Sequence, residues 1–270
     1  MDKKKGFSQI ARDIRNIKIQ GATNVAKAAL RAYYLNPTKK TKAKLLSLRP
    51  TEPMMENVLD LAESGIPKEK ILRHFDEAQE KINFLVLKLI KNNSVIFTHC
   101  HSTNVSRSLA YAKKKGKKFE VYATETRPLF QGRKTAKELR KAKIKVTLFV
   151  DSSIGVALSK EQGTKKVSLV FLGADALLKK GAINKIGSEV IARLSKQEKI
   201  PFYIVADSWK FTKKKVPLEQ RSLNEVWDNA PKDIKIKNPA FEFIPKKYIT
   251  GIITEHGIMK YGQFVKKLKD

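Results

Sequence analysis

The sequence predicts an α/β protein. A small helical N-terminal domain, residues 1–92, precedes a Rossmann-like domain with a mainly parallel sheet, residues 93–270. Three observations carry this prediction. No convincing strand pattern occurs before Val95, and apolar residues up to there recur at helical spacing. From Asn93 onward short apolar runs recur, most of them separated by a helical pattern. Strands that alternate with helices imply right-handed βαβ crossovers and hence parallel pairing.

The elements follow in order. Ile14, Ile17, Ile19, Val25, Ala28, Ala29, Ala32 and Tyr33 form an amphipathic pattern that Asn36-Pro37 stops. A second helical stretch runs from Pro53 to Ala62 and ends near Gly65-Ile66-Pro67. A third runs from Lys68 to about Lys91, with Ile71, Phe75, Ala78, Ile82, Leu85, Leu89 and Ile90 on one stripe. The strand candidates are Val95–His99, Phe119–Thr124, Lys145–Asp151, Val167–Gly173, Phe202–Asp207 and Ile249–Thr254. Helical patterns at Thr103–Lys115, Lys134–Lys143 and Gly187–Glu198 lie between them. There is no Gly-x-Gly-x-x-Gly after the first strand and no Gly-Lys-Ser/Thr phosphate loop, so neither a dinucleotide nor a nucleoside triphosphate is indicated.

Composition narrows the class. Hydrophobic residues make up 41% of the 270, enough for a real core. One cysteine excludes an intramolecular disulfide and fits a reducing cytoplasm. The start, Met1-Asp2-Lys3-Lys4-Lys5, lacks an apolar signal core, and no apolar run is long enough to span a membrane. Lys and Arg number 56 against 26 Asp and Glu, a net charge of +30. Such a surface attracts polyanions, and sequence-independent RNA binding is expected. The lysines are spread along the chain without an aromatic-studded stripe, so a dedicated nucleic-acid site is not expected.

The ends of the strands carry the chemistry. In a parallel α/β sheet they converge on one edge. The first strand delivers Cys100 and Ser102, the latter an N-cap for the helix that Thr103 opens. Its sole thiol is either a small buried hydrophobe or a group reached by substrate. A helix N-terminus behind it would favour the thiolate and accept a phosphate. The second strand delivers Glu125-Thr126-Arg127-Pro128 and Gln131-Gly132; the third, Asp151-Ser152-Ser153. The fourth delivers Gly173-Ala174-Asp175, followed by Asn184-Lys185-Ile186-Gly187; the fifth, Asp207-Ser208-Trp209-Lys210. Arg127, Lys185 and Lys210 are phosphate-binding candidates, and Cys100 and Asp175 a proton-transfer pair. His99 and His101, two apart, would point to opposite sides of a strand, and no paired ligand motif occurs, so no metal site is expected. A Cys-His hydrolase using His74 or His256 has no support in local spacing.

These stretches resemble a family that holds ribose-1,5-bisphosphate isomerase, methylthioribose-1-phosphate isomerase and the regulatory (alpha, beta, delta) subunits of translation initiation factor two-B. The matching residues are Thr98–Ser102, Thr124–Pro128 with Gln131-Gly132, Gly173–Asp175 with Asn184–Gly187, Trp209–Phe211, Asn238–Phe241 and Ile253–Gly257. Weaker matches are Gln20-Gly21-Ala22 and Arg49-Pro50-Thr51. The phrases around Cys100 and Arg127 look most like the archaeal ribose-1,5-bisphosphate isomerase.

The resemblance implies an aldose–ketose isomerase that turns ribose 1,5-bisphosphate into ribulose 1,5-bisphosphate without a cofactor, a step linking AMP breakdown to a RuBisCO-type carboxylase. It implies Cys100 as base at C2 and Asp175 as its partner at the hydroxyl oxygens. Ser102, Thr103, Arg127, Gln131, Asn184, Lys185 and Lys210 would hold the substrate from the sheet side, with Gln20, Gly21, Ala22 and Arg49 closing from the helical side. It also implies a homo-oligomer, at least a dimer, with Ile249–Ile253 a candidate surface. Three departures stand out. Gln20 replaces the family's phosphate-binding Arg, Asp207 and Trp209 replace a Glu and a Tyr, and Glu242 replaces an Asp. The alternative implied by the same family is a non-catalytic regulator that binds the initiation factor two alpha subunit.

Overall fold

The computed structural model describes residues 3–159 and 164–268. Five helices come first: α1 (Lys3–Arg15), α2 (Ala22–Leu35), α3 (Lys39–Leu46), α4 (Pro53–Glu63) and α5 (Lys68–Leu89). The pattern read from Ile14 to Tyr33 is in fact broken between α1 and α2. Ile17 and Gly21 both take positive φ there, 56° and 84°, which no helix interior accommodates. Helix α3 has no forecast in the sequence. Only Thr41 and Leu45 of it are buried, so its apolar stripe is too thin to read among lysines, and Thr38 caps it by accepting from the Thr41 N–H at 3.1 Å.

Helix α5 joins two cores. Ile71 and Phe75 pack among α2 and α4, with Leu30, Met55 and Leu59. Ile82 and Val86 pack instead beneath the sheet, with Ile96, Leu109 and Val121. Among the described residues no helix is long and apolar enough to cross a membrane.

The second half runs β1 (Ser94–Thr98), α6 (Thr103–Lys114), β2 (Phe119–Thr124), α7 (Gln131–Lys141), β3 (Lys145–Phe149), α8 (Ile154–Leu158) and β4 (Leu169–Leu172). Then follow β5 (Ala176–Leu178), β6 (Gly181–Lys185), α9 (Ser188–Gln197), β7 (Phe202–Val205), β8 (Phe241–Pro245), β9 (Gly251–Thr254), β10 (Gly257–Met259) and α10 (Tyr261–Lys267). All six anticipated strands are present, in a seven-stranded sheet of order β10-β9-β7-β4-β1-β2-β3. Every pairing in it is parallel except β10 with β9. The small antiparallel sheet β5-β6-β8 was not foreseen. Its strands are three to five residues long, and β8 finds β6 across the irregular segment 212–240, so no local pattern announces it.

Ile249–Ile253 is not a surface. Strand β9 lies between β7 and β10, and Ile252 and Ile253 are fully buried within the chain's own core. A central strand of a doubly covered sheet reads in sequence like an exposed apolar patch, because both are runs of Ile and Val.

The sheet order fixes the site. From β1 the chain winds outward through β2 to β3, then returns to lay β4 on the opposite flank of β1. The carboxyl ends of β1 and β4 therefore flank the point where the winding reverses, the usual ligand crevice of such sheets.

Candidate active site

The loop after β1 is held rigidly. Cys100 has φ of 63°, its N–H donates to Thr126 Oγ1 at 3.0 Å, and its carbonyl accepts from Thr135 Oγ1 at 2.8 Å. His99 is buried beneath it. Its Nε2 donates to the Ile186 carbonyl at 2.8 Å, and its Nδ1 faces the Thr124 hydroxyl. Burial pushes the His99 imidazole down to about 4, so it stays neutral and ties β1 to the loop after β6. His101, also on the pocket lining, meets Glu138 of α7 at 2.9 Å.

Two glycines let these pieces close up. A Cβ on Gly173 would lie 2.6 Å from Ser102 Oγ, so the end of β4 reaches the start of α6 only as glycine. A Cβ on Gly132 would lie 1.7 Å from the Thr124 carbonyl, so the first turn of α7, with Gln131, can press against β2 only as glycine.

The crevice above is a single pocket of about 80 Å³. Cys100, Ser102 and Thr103 form its floor, with Asp175 from β4, Asn184 and Lys185 from β6, and Lys210 from the turn after β7. Gln20, Gly21, Ala22 and Arg49 form its roof, and Gln131 one wall. Two lysines in it are almost fully buried, Lys185 at 4% and Lys210 at 5% exposure. Lys210 donates to the Ala174 carbonyl at 2.6 Å. Lys185 has no side-chain hydrogen bond or ion pair among the described residues, which leaves its ammonium to a ligand.

Arg127 is the exception. Its guanidinium is exposed and sits 5.1 Å from the Phe130 ring, outside the pocket. The cause is the Asp151 carboxylate, which accepts from the N–H groups of Thr126 at 2.8 Å and Arg127 at 2.6 Å and fixes that turn. Asp151 is thus a cap for the neighbouring loop and not a pocket group. Its strand, β3, is the sheet edge, two strands from the switch point.

Electrostatics revise the role of the thiol. Burial, then the charge of Asp175, pushes Cys100 up to about 12. The resting group is a neutral thiol and not the thiolate that a helix N-terminus suggested. The helix dipole acts only near its axis end, whereas desolvation acts on the whole ion. Asp175 is raised as well, by burial, against the pull of Lys210, Arg49 and Lys185.

The pocket also contains residues that the sequence did not flag: Glu52, Asn104, Glu219 and Arg221 among them. Glu52 and Glu219 bracket Arg49, each at 3.3 Å. Six buried side-chain polar atoms lack a hydrogen-bond partner among the described residues, and five belong to this pocket: Arg49 Nε, Glu52 Oε2, Asn104 Oδ1, Gln131 Oε1 and Glu219 Oε2. Arg49 Nε and Glu219 Oε2 still face each other as an ion pair, but the other three have no polar partner among the described residues. Buried polar atoms are nearly always paired, so these three mark a cavity shaped for a polar ligand.

The substituted family positions act elsewhere. Asp207 Oδ1 accepts from the Trp209 N–H at 2.9 Å and meets His74 of α5 at 3.2 Å; Trp209 stacks on His74. Glu255, the third member of the one His–carboxylate grouping among the described residues, takes the N–H and hydroxyl of Ser208. These contacts lock β7 and the β9–β10 turn to α5. Glu242 accepts from the Glu189 N–H at 2.8 Å and caps α9.

A model of the initiation factor 2 subunit family matches residues 38–261. Ribose 1,5-bisphosphate isomerase of Methanocaldococcus jannaschii is 34% identical, with 91% of this chain and 89% of the relative aligned. Methylthioribose-1-phosphate isomerase of Carboxydothermus hydrogenoformans is 38% identical over 71% of this chain and 61% of the relative. Among solved structures, the Pyrococcus horikoshii translation initiation factor eIF-2B superposes with a TM-score of 0.82 at 27% identity, covering 94% of this chain and 96% of that one.

Proposed function

Because the chain belongs to the initiation factor 2 subunit family, we propose that it is a sugar-phosphate isomerase that converts ribose 1,5-bisphosphate to ribulose 1,5-bisphosphate. The observation that carries this reading is the meeting of Cys100, Asp175 and the buried, unpaired Lys185 in one pocket at the switch point. Three archaeal relatives, 33–34% identical over 91–93% of this chain, are named ribose 1,5-bisphosphate isomerase.

The chemistry needs two protons delivered and two removed. Opening the ring breaks the C1–O4 bond, places a proton on O4 and leaves C1 as an oxocarbenium shared with the oxygen that carries the 1-phosphate; loss of the C2 proton neutralises it as the C1–C2 double bond forms. The C2 proton then leaves, C1 gains a proton, and the C2 hydroxyl loses its own as it becomes the ketone. A neutral thiol suits the first step: Cys100 gives its proton to O4 and becomes a thiolate. The thiolate takes the C2 proton and returns it to C1. Asp175 takes the hydroxyl proton and passes it back to the sulfur, restoring the resting state. A carboxyl raised above its ordinary range suits a group that must both accept and release a proton. The N–H groups that open α6 at Thr103 and Asn104, with Lys185, hold phosphate and balance the charge that develops on the C2 oxygen of the enol as it loses its proton.

The test is carbon NMR of the purified protein with ribose 1,5-bisphosphate. Ketose carbonyl signals are expected. Their absence, together with salt-resistant binding to an initiation factor two alpha subunit, would favour the regulatory reading, which the eIF-2B-like fold also accommodates.

Cytoplasmic location and assembly into at least a dimer belong to the same reading. So does sequence-independent RNA binding through the net charge of +30. That binding is expected to weaken by orders of magnitude between low and physiological salt, while turnover in the closed pocket changes far less. Exposed lysines are screened beyond a Debye length of about 8–10 Å. Filter binding across salt, beside an activity assay, measures both; tight, salt-resistant binding to one RNA would contradict a merely global charge.

A further inference from the structure

Glu52 occupies the position just before α4, where a side chain ordinarily caps the helix. It makes no capping bond, and Pro53 follows it at the first helical position. Thr51 donates to the Pro217 carbonyl at 3.0 Å and pins this turn to the segment that carries Glu219 and Arg221. The Glu52 side chain therefore lies on the pocket wall, 97% buried by its 3% exposure. Its Oε1 takes one long contact from Arg49 at 3.3 Å, and its Oε2 has no partner among the described residues.

The orphaned atoms have a bias. Two of the five, Arg49 Nε and Glu219 Oε2, face each other as an ion pair at 3.3 Å; the other three, Glu52 Oε2, Asn104 Oδ1 and Gln131 Oε1, are all acceptor oxygens. A phosphate brings only acceptors and cannot satisfy them; hydroxyl groups can. The charges agree. Four basic side chains line the pocket, but Arg49 is shared by Glu52 and Glu219, and Arg221 by Glu219 and Glu225. The side of the pocket formed by Arg49, Glu52, Glu219 and Arg221 is thus close to neutral, and the unpaired cation is Lys185 on the opposite strand side.

We propose that Glu52 is a specificity-determining residue that recognises a sugar hydroxyl, the phosphate being held at the α6 and Lys185 side of the same pocket. Rejection of ligands that carry phosphate but lack the hydroxyl then follows, because Oε2 would stay buried and unpaired. Burial, with Asp175 nearby, pushes the Glu52 carboxyl up to about 8, so the discrimination is fullest above that pH, where both of its oxygens can only accept. The proposal rests on the sugar-phosphate reading above.

The experiment is calorimetry with two probes, ribose 5-phosphate and inorganic phosphate, on the wild type, Glu52→Ala and Glu52→Gln. The wild type is expected to prefer ribose 5-phosphate. Glu52→Ala is expected to weaken ribose 5-phosphate by about 10–100-fold and leave inorganic phosphate within about threefold. Glu52→Gln, nearly isosteric, is expected to recover part of that loss and serves as the test if the Ala variant does not fold. Equal weakening of both probes would mean a structural role and overturn the proposal, as would an undiminished preference in both variants. If the wild type itself shows no preference for ribose 5-phosphate over inorganic phosphate, the sugar reading falls first and the role of Glu52 with it.

Discussion

Cys100→Ser and Asp175→Asn are each expected to cut turnover of ribose 1,5-bisphosphate by about 10²–10⁴-fold, the usual contribution of a positioned acid or base. Folding should survive. The backbone of residue 100 is held by Thr126 and Thr135 through its own N–H and carbonyl, and a serine keeps both contacts. What serine loses is the acidity of sulfur. A hydroxyl in a site that already pushes a thiol up to about 12 cannot release a proton to the ring oxygen on the same terms. Asparagine at 175 keeps the shape but cannot accept the hydroxyl proton. The measurement is initial rate by NMR beside a thermal melt. Near-full activity in Cys100→Ser with an unchanged melt would remove sulfur from the proton path.

The second large effect separates two cations that look alike in sequence. Lys185→Ala is expected to raise KM for the bisphosphate by about 30-fold or more, the lower end of what removing one partner of a buried charge pair costs. Arg127→Ala is expected to change KM by less than about threefold, because a solvated charge outside the pocket is screened. Lys185 is enclosed, its strand is paired with β5 and β8, and its ammonium awaits a partner. Steady-state kinetics on both variants decide the matter. Equal KM increases would mean that the loop carrying Arg127 closes over the substrate.

Where signals are local, the sequence is easily read. The strands of the large sheet and the helices α4, α5, α6 and α9 follow from period and from stop residues, since backbone geometry repeats every two or 3.6 residues. Helix α3 and the small sheet were hidden because their pairing partners are distant or their apolar stripe is two residues wide. Among the site residues, Cys100, Ser102, Asp175, Asn184 and Lys185 stand at strand ends or in a helix cap, where chemistry can be anticipated from position. Glu52 and Glu219 gave no such sign. One follows an Arg-Pro-Thr turn and the other lies in an irregular segment, and each is an ordinary acidic residue until the fold buries Glu52 and half-buries Glu219.

The sequence by itself therefore determined which side chains sit at the strand ends, and that a lone thiol and a carboxyl are among them. Tertiary structure alone decided that Arg127 turns outward, that Ile252 and Ile253 are interior, that the thiol rests protonated, and that Glu52 Oε2 is buried on the pocket without a partner among the described residues. The reason is physical. Periodicity is a property of the chain and survives in one dimension, whereas desolvation and the pairing of charges depend on what encloses each atom, and segments more than a hundred residues apart supply that enclosure here.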